Sequence, residues 1–152
     1  MTGAVLRVLS FDAMSEQSVG IVRSGDLDQR TAQTPGMQRR AAIDRSSVGS
    51  ERLWVGVVTV EPGTSTGAHH HGDCDSVVCV TEGSVTIRWG ARLENRASAA
   101  AGDFIYIPAR LVHQEINESD SVPVSSIVVR SGDNVVENVV TSEQLADAER
   151  GH

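Results

Sequence analysis

From Leu53 to Val140 the chain alternates between short apolar runs and clusters of Gly, Pro, Asp, Asn and Ser. The runs are rich in Val and Ile, which favour strands, and the clusters between them are typical of turns. Many short strands at even spacing are characteristic of sandwiches and barrels, so the pattern predicts an all-β fold. The predicted strands span residues 53–60, 66–71, 76–81, 84–89, 93–98, 104–107, 111–117, 122–130 and 135–140.

The first of these strands, residues 53–60, has apolar side chains at both odd and even positions. A strand of this kind is typically covered on both faces, so we expect other parts of the protein to pack on each side of it. Residues 51–140 are therefore interpreted as the barrel or sandwich. Residues 141–152 are interpreted as a C-terminal tail, in which Thr141 and Gln144 fit the capping box of a short helix.

Residues 1–50 have no sustained hydrophobic period and are interpreted as an N-terminal arm that is partly strand, with short strands at residues 4–9 and 21–23. Such a segment can be a solvated arm, can bring an arginine to an anionic substrate, or can pack on the barrel or a second subunit. We expect the segment to pack on a second subunit, which would make the protein a homodimer. The arginines concentrated in it are Arg30, Arg39, Arg40 and Arg45.

Composition and charge exclude several classes of function. The 152 residues fit one domain, and the net charge of -7 argues against a nucleic-acid partner, because neutralising phosphates requires a basic face. All thirteen basic residues are Arg, which excludes lysine Schiff-base chemistry and a P-loop lysine. No apolar stretch approaches the roughly 20 residues of a membrane span, and the first residues lack the apolar core of a signal peptide. We therefore expect a cytoplasmic protein with no membrane partner.

The candidate chemistry is concentrated in the stretch from Gly67 to Ser76, which contains three consecutive histidines. Because side chains alternate along a strand, His69 and His71 point to one face and His70 to the other. His113, on a later predicted strand, can supply a third imidazole, and neutral imidazole binds zinc, iron, nickel and copper. The alternatives are an exposed polar tip or a tag remnant, and the internal position of a run of only three disfavours the tag.

Two motifs make the chain resemble the cupins. The first cupin motif, G-x5-H-x-H-x3,4-E-x6-G, is matched in order by Gly63, His69, His71 and Gly83, and the segment contains His-His-His-Gly as in some small bacterial cupins. The second, G-x5-P-x-G-x2-H-x3-N, is matched in every spacing, with Arg110 in place of the middle glycine. Its matching residues are Gly102, Pro108, His113 and Asn117. The resemblance covers about residues 53–140 and implies a double-stranded β-helix, or jelly-roll barrel.

The resemblance also implies a divalent metal inside the barrel, held by His69, His71 and His113. The glutamate of the first motif is missing: its place is taken by Ser76 or, at the shorter spacing, by Asp75. If the strand is regular from Ser76, Asp75 faces away and three histidines remain. If the preceding turn swings Asp75 inward, its carboxylate offsets the metal's charge, and we favour Asp75 as a fourth ligand. The metal can be Fe, Zn, Ni or Mn.

Other polar residues are candidates for contacts with a substrate. Glu115 shares a strand face with His113 and can act as a general base or support the metal, or it can be a polar residue at the barrel mouth. Tyr106 can offer its hydroxyl to the cavity or can only pack. Arg88 and Arg110 can bind a carboxylate, although surface arginines are common.

These features predict a metal-dependent enzyme that acts on a small organic molecule. Lyase, dioxygenase and isomerase chemistries all occur on this type of barrel, and the fold does not decide among them. The alternative is a non-catalytic cupin that binds, stores or senses a small molecule, because binding requires only a shaped pocket.

Overall fold

The computed structural model describes residues 18–140, and it shows two five-stranded antiparallel sheets. The first sheet has the strand order β1-β2-β9-β4-β7 and the second β10-β3-β8-β5-β6. The all-β prediction and the double-stranded β-helix are confirmed. The strands are β1 Gln38–Ile43, β2 Leu53–Val60, β3 His69–His70, β4 Ser76–Glu82, β5 Ser84–Trp89, β6 Asn95–Ala100, β7 Phe104–Ile107, β8 His113–Ile116, β9 Val124–Ser131 and β10 Glu137–Asn138.

Most predicted strands coincide with observed ones, and the differences have local causes. The strand predicted at 66–71 is reduced to β3. Its pairing with β8 shifts register between Ser65, opposite Ile116, and His69, opposite His113, and the Gly67 N–H between them donates to Pro35 instead. The strand predicted at 21–23 is absent, and a 3₁₀ turn, Ser24–Asp26, follows directly. The strand predicted at 4–9 and the helix predicted at Thr141 lie outside the described residues.

The segment interpreted as an arm contributes strand β1, which packs on the barrel as the edge strand of the first sheet. β1 pairs antiparallel with β2, and Arg39 lies opposite Val58. The side chains of Arg39 and Ala41 are buried. A short helix, α1 Arg45–Val48, follows and is capped by Asp44, whose side chain accepts a hydrogen bond from the Ser47 N–H. β1 thus places an arginine inside the barrel.

The core lies between the two sheets and is built from the alternate positions that face inward. β2, β4 and β9 each contribute two valines to this face, as expected when branched side chains pack on a pleated surface. Trp54 is the largest buried apolar side chain, and a Cβ at Gly56 would lie 2.2 Å from a carbon of its ring, so this position requires glycine. The buried apolar residues that pack together in this core are Ala41, Trp54, Val58, Val60, Val78, Val80, Val85, Ile87, Ile107, Val124 and Val128.

The outer face of the first sheet is also apolar and is not covered by the described residues. Two cross-strand rows run over it, and both end on aromatic residues of β7: Phe104 is 74% exposed and Tyr106 is 63% exposed. We call these two rows the outer face. The first row is Val57, Ile127, Cys79 and Phe104, and the second is Val55, Val129, Val77 and Tyr106. Within residues 18–140, the expected cover on both sides of β2 is therefore found only on the inner side.

Among the described residues, no helix has the length and apolar character that crossing a membrane requires.

Candidate metal centre

Three histidines meet inside the barrel, on the second sheet. His69 in β3 lies directly opposite His113 in β8, and His71 follows at the turn after β3. One ring nitrogen from each lies within 4.8 Å of the others, and the ring centroids are 4.3 to 5.1 Å apart. All three side chains are buried, with 0%, 3% and 1% exposure for His69, His71 and His113. The fold therefore brings together the three histidines that the sequence motifs and strand alternation predict.

Backbone carbonyls fix which nitrogen of each imidazole faces the others. The Nδ1 atoms of His69, His71 and His113 lie 2.9, 2.7 and 2.9 Å from the carbonyl oxygens of Gly67, Val135 and Leu111. A carbonyl oxygen can only accept, so each Nδ1 carries the proton and each Nε2 presents a lone pair. The Nε2 of His113 has no hydrogen-bond partner among the described residues. Three buried, converging lone pairs of this kind fit a metal ion, and the supporting carbonyls orient the rings as in protein metal sites.

Burial keeps the three imidazoles neutral. It lowers the pKa of His69 to about 3 and the pKa of His71 to about 2, and it also lowers the pKa of His113. The positive charge of Arg130 adds to this effect and further lowers the pKa of His71. Since only a neutral imidazole can ligate a metal, the ligand form is present at neutral pH before any metal arrives.

His70 lies outside the cluster, as the alternation of the strand predicts. It is half-buried, its Nε2 lies 3.2 Å from a carboxylate oxygen of Glu137, and its Nδ1 accepts a hydrogen bond from the Gly72 N–H. It therefore supports the turn after β3, and it offers a natural control for experiments on the other histidines.

Asp75, favoured from the sequence as a fourth ligand, is not brought to the histidines. β4 is regular from its first residue, so Ser76 faces inward and Asp75 faces outward. Asp75 is exposed, and its Oδ1 accepts a hydrogen bond from the Ala109 N–H at 3.0 Å. Ser76 is 1% exposed, and its Oγ has no partner among the described residues. The geometry corrects the expectation for Asp75 and leaves three histidines.

The two candidate catalytic residues have different surroundings. Glu115 lies two residues after His113 on the same inward face, is 8% exposed, and has an Oε2 atom without a partner among the described residues. It lines a small cavity of about 10 Å³ inside the barrel, whose other walls are mainly apolar. Tyr106 lies on the outer face and is directed away from the barrel interior, which corrects the idea that its hydroxyl serves the site. Alternation along β7 explains the difference, because Ile105 and Ile107 take the inward positions.

Two buried arginines from the first sheet face the histidines. Nη2 of Arg39 lies 3.4 Å from Nε2 of His69, and Nη2 of Arg130 lies 3.0 Å from Nε2 of His71. The guanidinium of Arg130 also stacks over Trp54, 5.2 Å from the ring centroid. Burial lowers the pKa of Arg39 to about 10 and, together with the charge of Arg39, that of Arg130 to about 9. Both remain cations at neutral pH.

Sequence reasoning missed Arg130 and named Arg39 only as one arginine of the arm. A signal for Arg130 was present. Val124, Val128 and Arg130 occupy alternate positions of β9, so the arginine continues the inward face of a strand. The candidates for carboxylate binding named from the sequence lie elsewhere. Arg88 donates to the Leu93 carbonyl at 3.0 Å, and Arg110 pairs with Asp73 at the surface.

A cavity of about 490 Å³ opens between the edge strands β6 and β7. Its wall is mainly apolar and includes Ile87, Trp89 and Leu111. On strand β5, Trp89 lies directly opposite His113 and Ile87 lies directly opposite Glu115. Two residues of the cavity wall are therefore cross-strand neighbours of the site, although neither the histidines nor Glu115 line the cavity itself.

Comparisons with known proteins agree with this architecture. The family model described as the cupin domain matches residues 56–130. The polyketide cyclase RemF from Streptomyces resistomycificus is 22% identical with a TM-score of 0.66, over 88% of this chain and 94% of that one. The protein TT1209 from Thermus thermophilus is 30% identical with a TM-score of 0.53, over 68% of this chain and 91% of that one. An oxalate oxidase structure is 17% identical with a TM-score of 0.62, over 80% and 70% of the two chains.

A search of curated protein sequences found no significant match. The family model, the solved structures and the histidine cluster nevertheless agree with the two motifs read from the sequence. The chain belongs to the cupin superfamily.

Proposed function

We propose that this protein is a metal-dependent cupin enzyme that acts on a small organic molecule. The observation that carries the proposal is the convergence of three imidazole lone pairs, each oriented by a backbone carbonyl. His69, His71 and His113 would hold the metal, and Fe, Zn, Ni and Mn are all compatible with imidazole ligation. When bound, the metal would act as a Lewis acid or a redox centre. Three protein ligands leave coordination positions for other molecules.

Glu115 is the candidate general base. It shares the inward face with His113, and its free carboxylate oxygen is available for a proton from a bound molecule. A positioned base beside a Lewis acid favours chemistry that moves a proton, as in lyases and isomerases. Dioxygenase chemistry remains the alternative reaction if the metal is redox-active. Enzymes among the similar structures, a polyketide cyclase and an oxalate oxidase, make catalysis on this fold a reasonable expectation.

The test is to purify the full chain without a tag, measure its metal content, and load it with each of the four metals. Each form is then incubated with a panel of small organic acids in D₂O, and NMR detects products and deuterium exchange while an electrode records oxygen. We expect turnover or exchange in the loaded wild type. Glu115→Gln should lose it while keeping its metal, and Glu118→Gln, at an exposed carboxylate paired with Arg96, should not.

The competing function is a non-catalytic cupin that binds or senses a small molecule. It would be favoured if a member of the panel binds the loaded protein but neither product nor exchange is observed with any metal. Such a result would leave the metal site intact and remove the role proposed for Glu115.

We also propose that the protein is a homodimer that buries the outer face. Its two rows contain only apolar, aromatic and cysteine side chains, and a contact with the same face of a second copy would remove this surface from water. No charged residue lies between the ends of either row, although Arg40 of β1 is the direct neighbour of Val57 at one end of the first row.

A further inference from the structure

We propose that the ligand bound beside the histidines is an organic carboxylate, and that Arg39 and Arg130 bind its carboxylate group. This inference rests on the proposed function, because it takes the space beside the histidines as the substrate site. It goes further by naming the chemical class of the molecule and the residues that select it.

The first support is the burial of the two guanidinium groups. Arg39 is 0% exposed and Arg130 is 3% exposed, although arginine is almost never buried without a partner. They come from β1 and β9 in the first sheet, yet both reach the histidines of the second sheet. Two cations on one side of a small buried site require a reason, and binding of an anion supplies one.

The second support is an account of their hydrogen bonds. A guanidinium has five N–H donors, and a buried donor without a partner costs free energy. Arg39 contacts the Ala32 carbonyl and His69, each at 3.4 Å, and Arg130 contacts His71 at 3.0 Å. The Nε atoms of both arginines, and Nη1 of Arg130, have no partner among the described residues. These donors are the groups that pair with a carboxylate through two parallel hydrogen bonds.

The third support is the balance of charge. The Glu115 carboxylate lies close enough to attract both guanidinium groups. Two cations and this one anion leave a net charge of about +1, and a divalent metal would raise it to about +3. A metal would also take the lone pairs of His69 and His71, to which the arginines now donate, and so would free further donors. A bound carboxylate lowers the charge and pairs with these donors at once.

The apolar residues next to the histidines indicate what the carboxylate is attached to. The adjoining wall, with Ile87, Trp89 and Leu111, is apolar, and Trp89 lies opposite His113 in the same sheet. A molecule with an anionic end and an apolar body matches a polar site that lies next to an apolar wall. Planar guanidinium groups suit a planar carboxylate particularly well. We therefore choose phenylacetate as the probe and phenylacetamide as its uncharged counterpart.

The experiment measures binding of both probes by isothermal titration calorimetry to the full chain, metal-free and loaded with zinc. We expect phenylacetate to bind and phenylacetamide to bind at least tenfold more weakly. Arg130→Met and Arg39→Met should each weaken phenylacetate binding by roughly ten- to a hundredfold, as expected for a lost charged hydrogen bond. Arg130→Lys keeps the charge but not the planar guanidinium group, and its affinity for phenylacetate should lie between those of the wild type and Arg130→Met. Arg96→Met, at an exposed arginine, is the matched control and should bind as the wild type does.

Zinc content and circular dichroism, measured on every variant, separate loss of binding from loss of the metal or the fold. The inference is overturned if phenylacetate fails to bind the wild type at millimolar concentration, if both probes bind equally, or if the arginine variants that fold bind as the wild type does. If turnover is never found but charge-selective, arginine-dependent binding is, the proposed enzyme function fails and this inference stands.

Discussion

Replacing one histidine of the cluster should remove most of the stabilisation that zinc gives, whereas replacing its neighbour in sequence should not. The two changes are His71→Ala and His70→Ala. His71 presents a buried Nε2 to the cluster, and His70 points away towards Glu137. The pair tests whether the face assigned to each histidine is correct, since both variants lose one imidazole from the same short segment.

The size of the effect follows from linkage. Zinc at a hundred times its dissociation constant stabilises the folded state by about 2.7 kcal/mol. For a domain of this size, 1 kcal/mol corresponds to a change in Tm of roughly 2 to 4 °C, so zinc should raise the wild-type Tm by about 5 to 11 °C. If His71→Ala weakens binding about a hundredfold, the upper end for loss of a supporting partner, the same zinc concentration only equals the dissociation constant. The stabilisation then falls to about 0.4 kcal/mol, or roughly 1 to 2 °C.

Differential scanning fluorimetry with and without zinc, at one fixed free zinc concentration, measures these increments directly. His70→Ala is expected to lower the metal-free Tm slightly, because it loses the contact with the Gly72 N–H, but to keep the full zinc increment. Equal increments in both variants, or a larger loss in His70→Ala, would show that the cluster described here is not the zinc site.

Three further predictions concern other parts of the molecule. Asp75→Ala should leave zinc affinity unchanged, because Asp75 is exposed and bonded to the Ala109 N–H, and a tenfold loss would restore it as a ligand. Ile127→Glu, at the centre of the outer face, should convert a dimer into a monomer in light scattering, and a wild-type monomer would refute the dimer. Metal-free protein should lose stability as pH falls below about 6.5, because the folded-state pKa values of His69 and His71 are about 3 and about 2 and the unfolded chain takes up protons first. The slope should be about 1.4 kcal/mol per pH unit for each such histidine, down to about pH 3, and urea unfolding that is equally stable at pH 7.5 and pH 5 would contradict it.

Strand alternation accounts for how much of the site could be predicted. Alternation predicts that His69 and His71 share one face. It also predicts that Ser76 faces inward and Asp75 outward if the strand is regular from Ser76, and β4 is regular from that residue. The preference for Asp75 came from charge, because a dication in a barrel requires a compensating anion. That requirement was sound, but backbone regularity at Ser76 overrides it, and the compensation must come from elsewhere.

The arginines could not be predicted with the same certainty. β1 has no hydrophobic period of its own, since Arg39 and Arg40 interrupt it, so its membership of the sheet depends on pairing with β2. Arg130 follows the inward period of β9, but a charged residue at the end of a strand is usually solvated. Only the packing of the two sheets shows that both guanidinium groups reach the histidines.

The missing glutamate and the buried arginine are connected by the register of the first sheet. Ser76, which stands at the motif's glutamate position, is the direct antiparallel partner of Arg130. A carboxylate at position 76 would face the guanidinium and serve as its counterion, but serine is shorter and uncharged, and its Oγ lacks a partner among the described residues. Arg130 therefore lacks the neighbouring carboxylate that a glutamate at position 76 would provide. A ligand carboxylate bound there, as we propose, would supply the charge that the sequence omits at position 76.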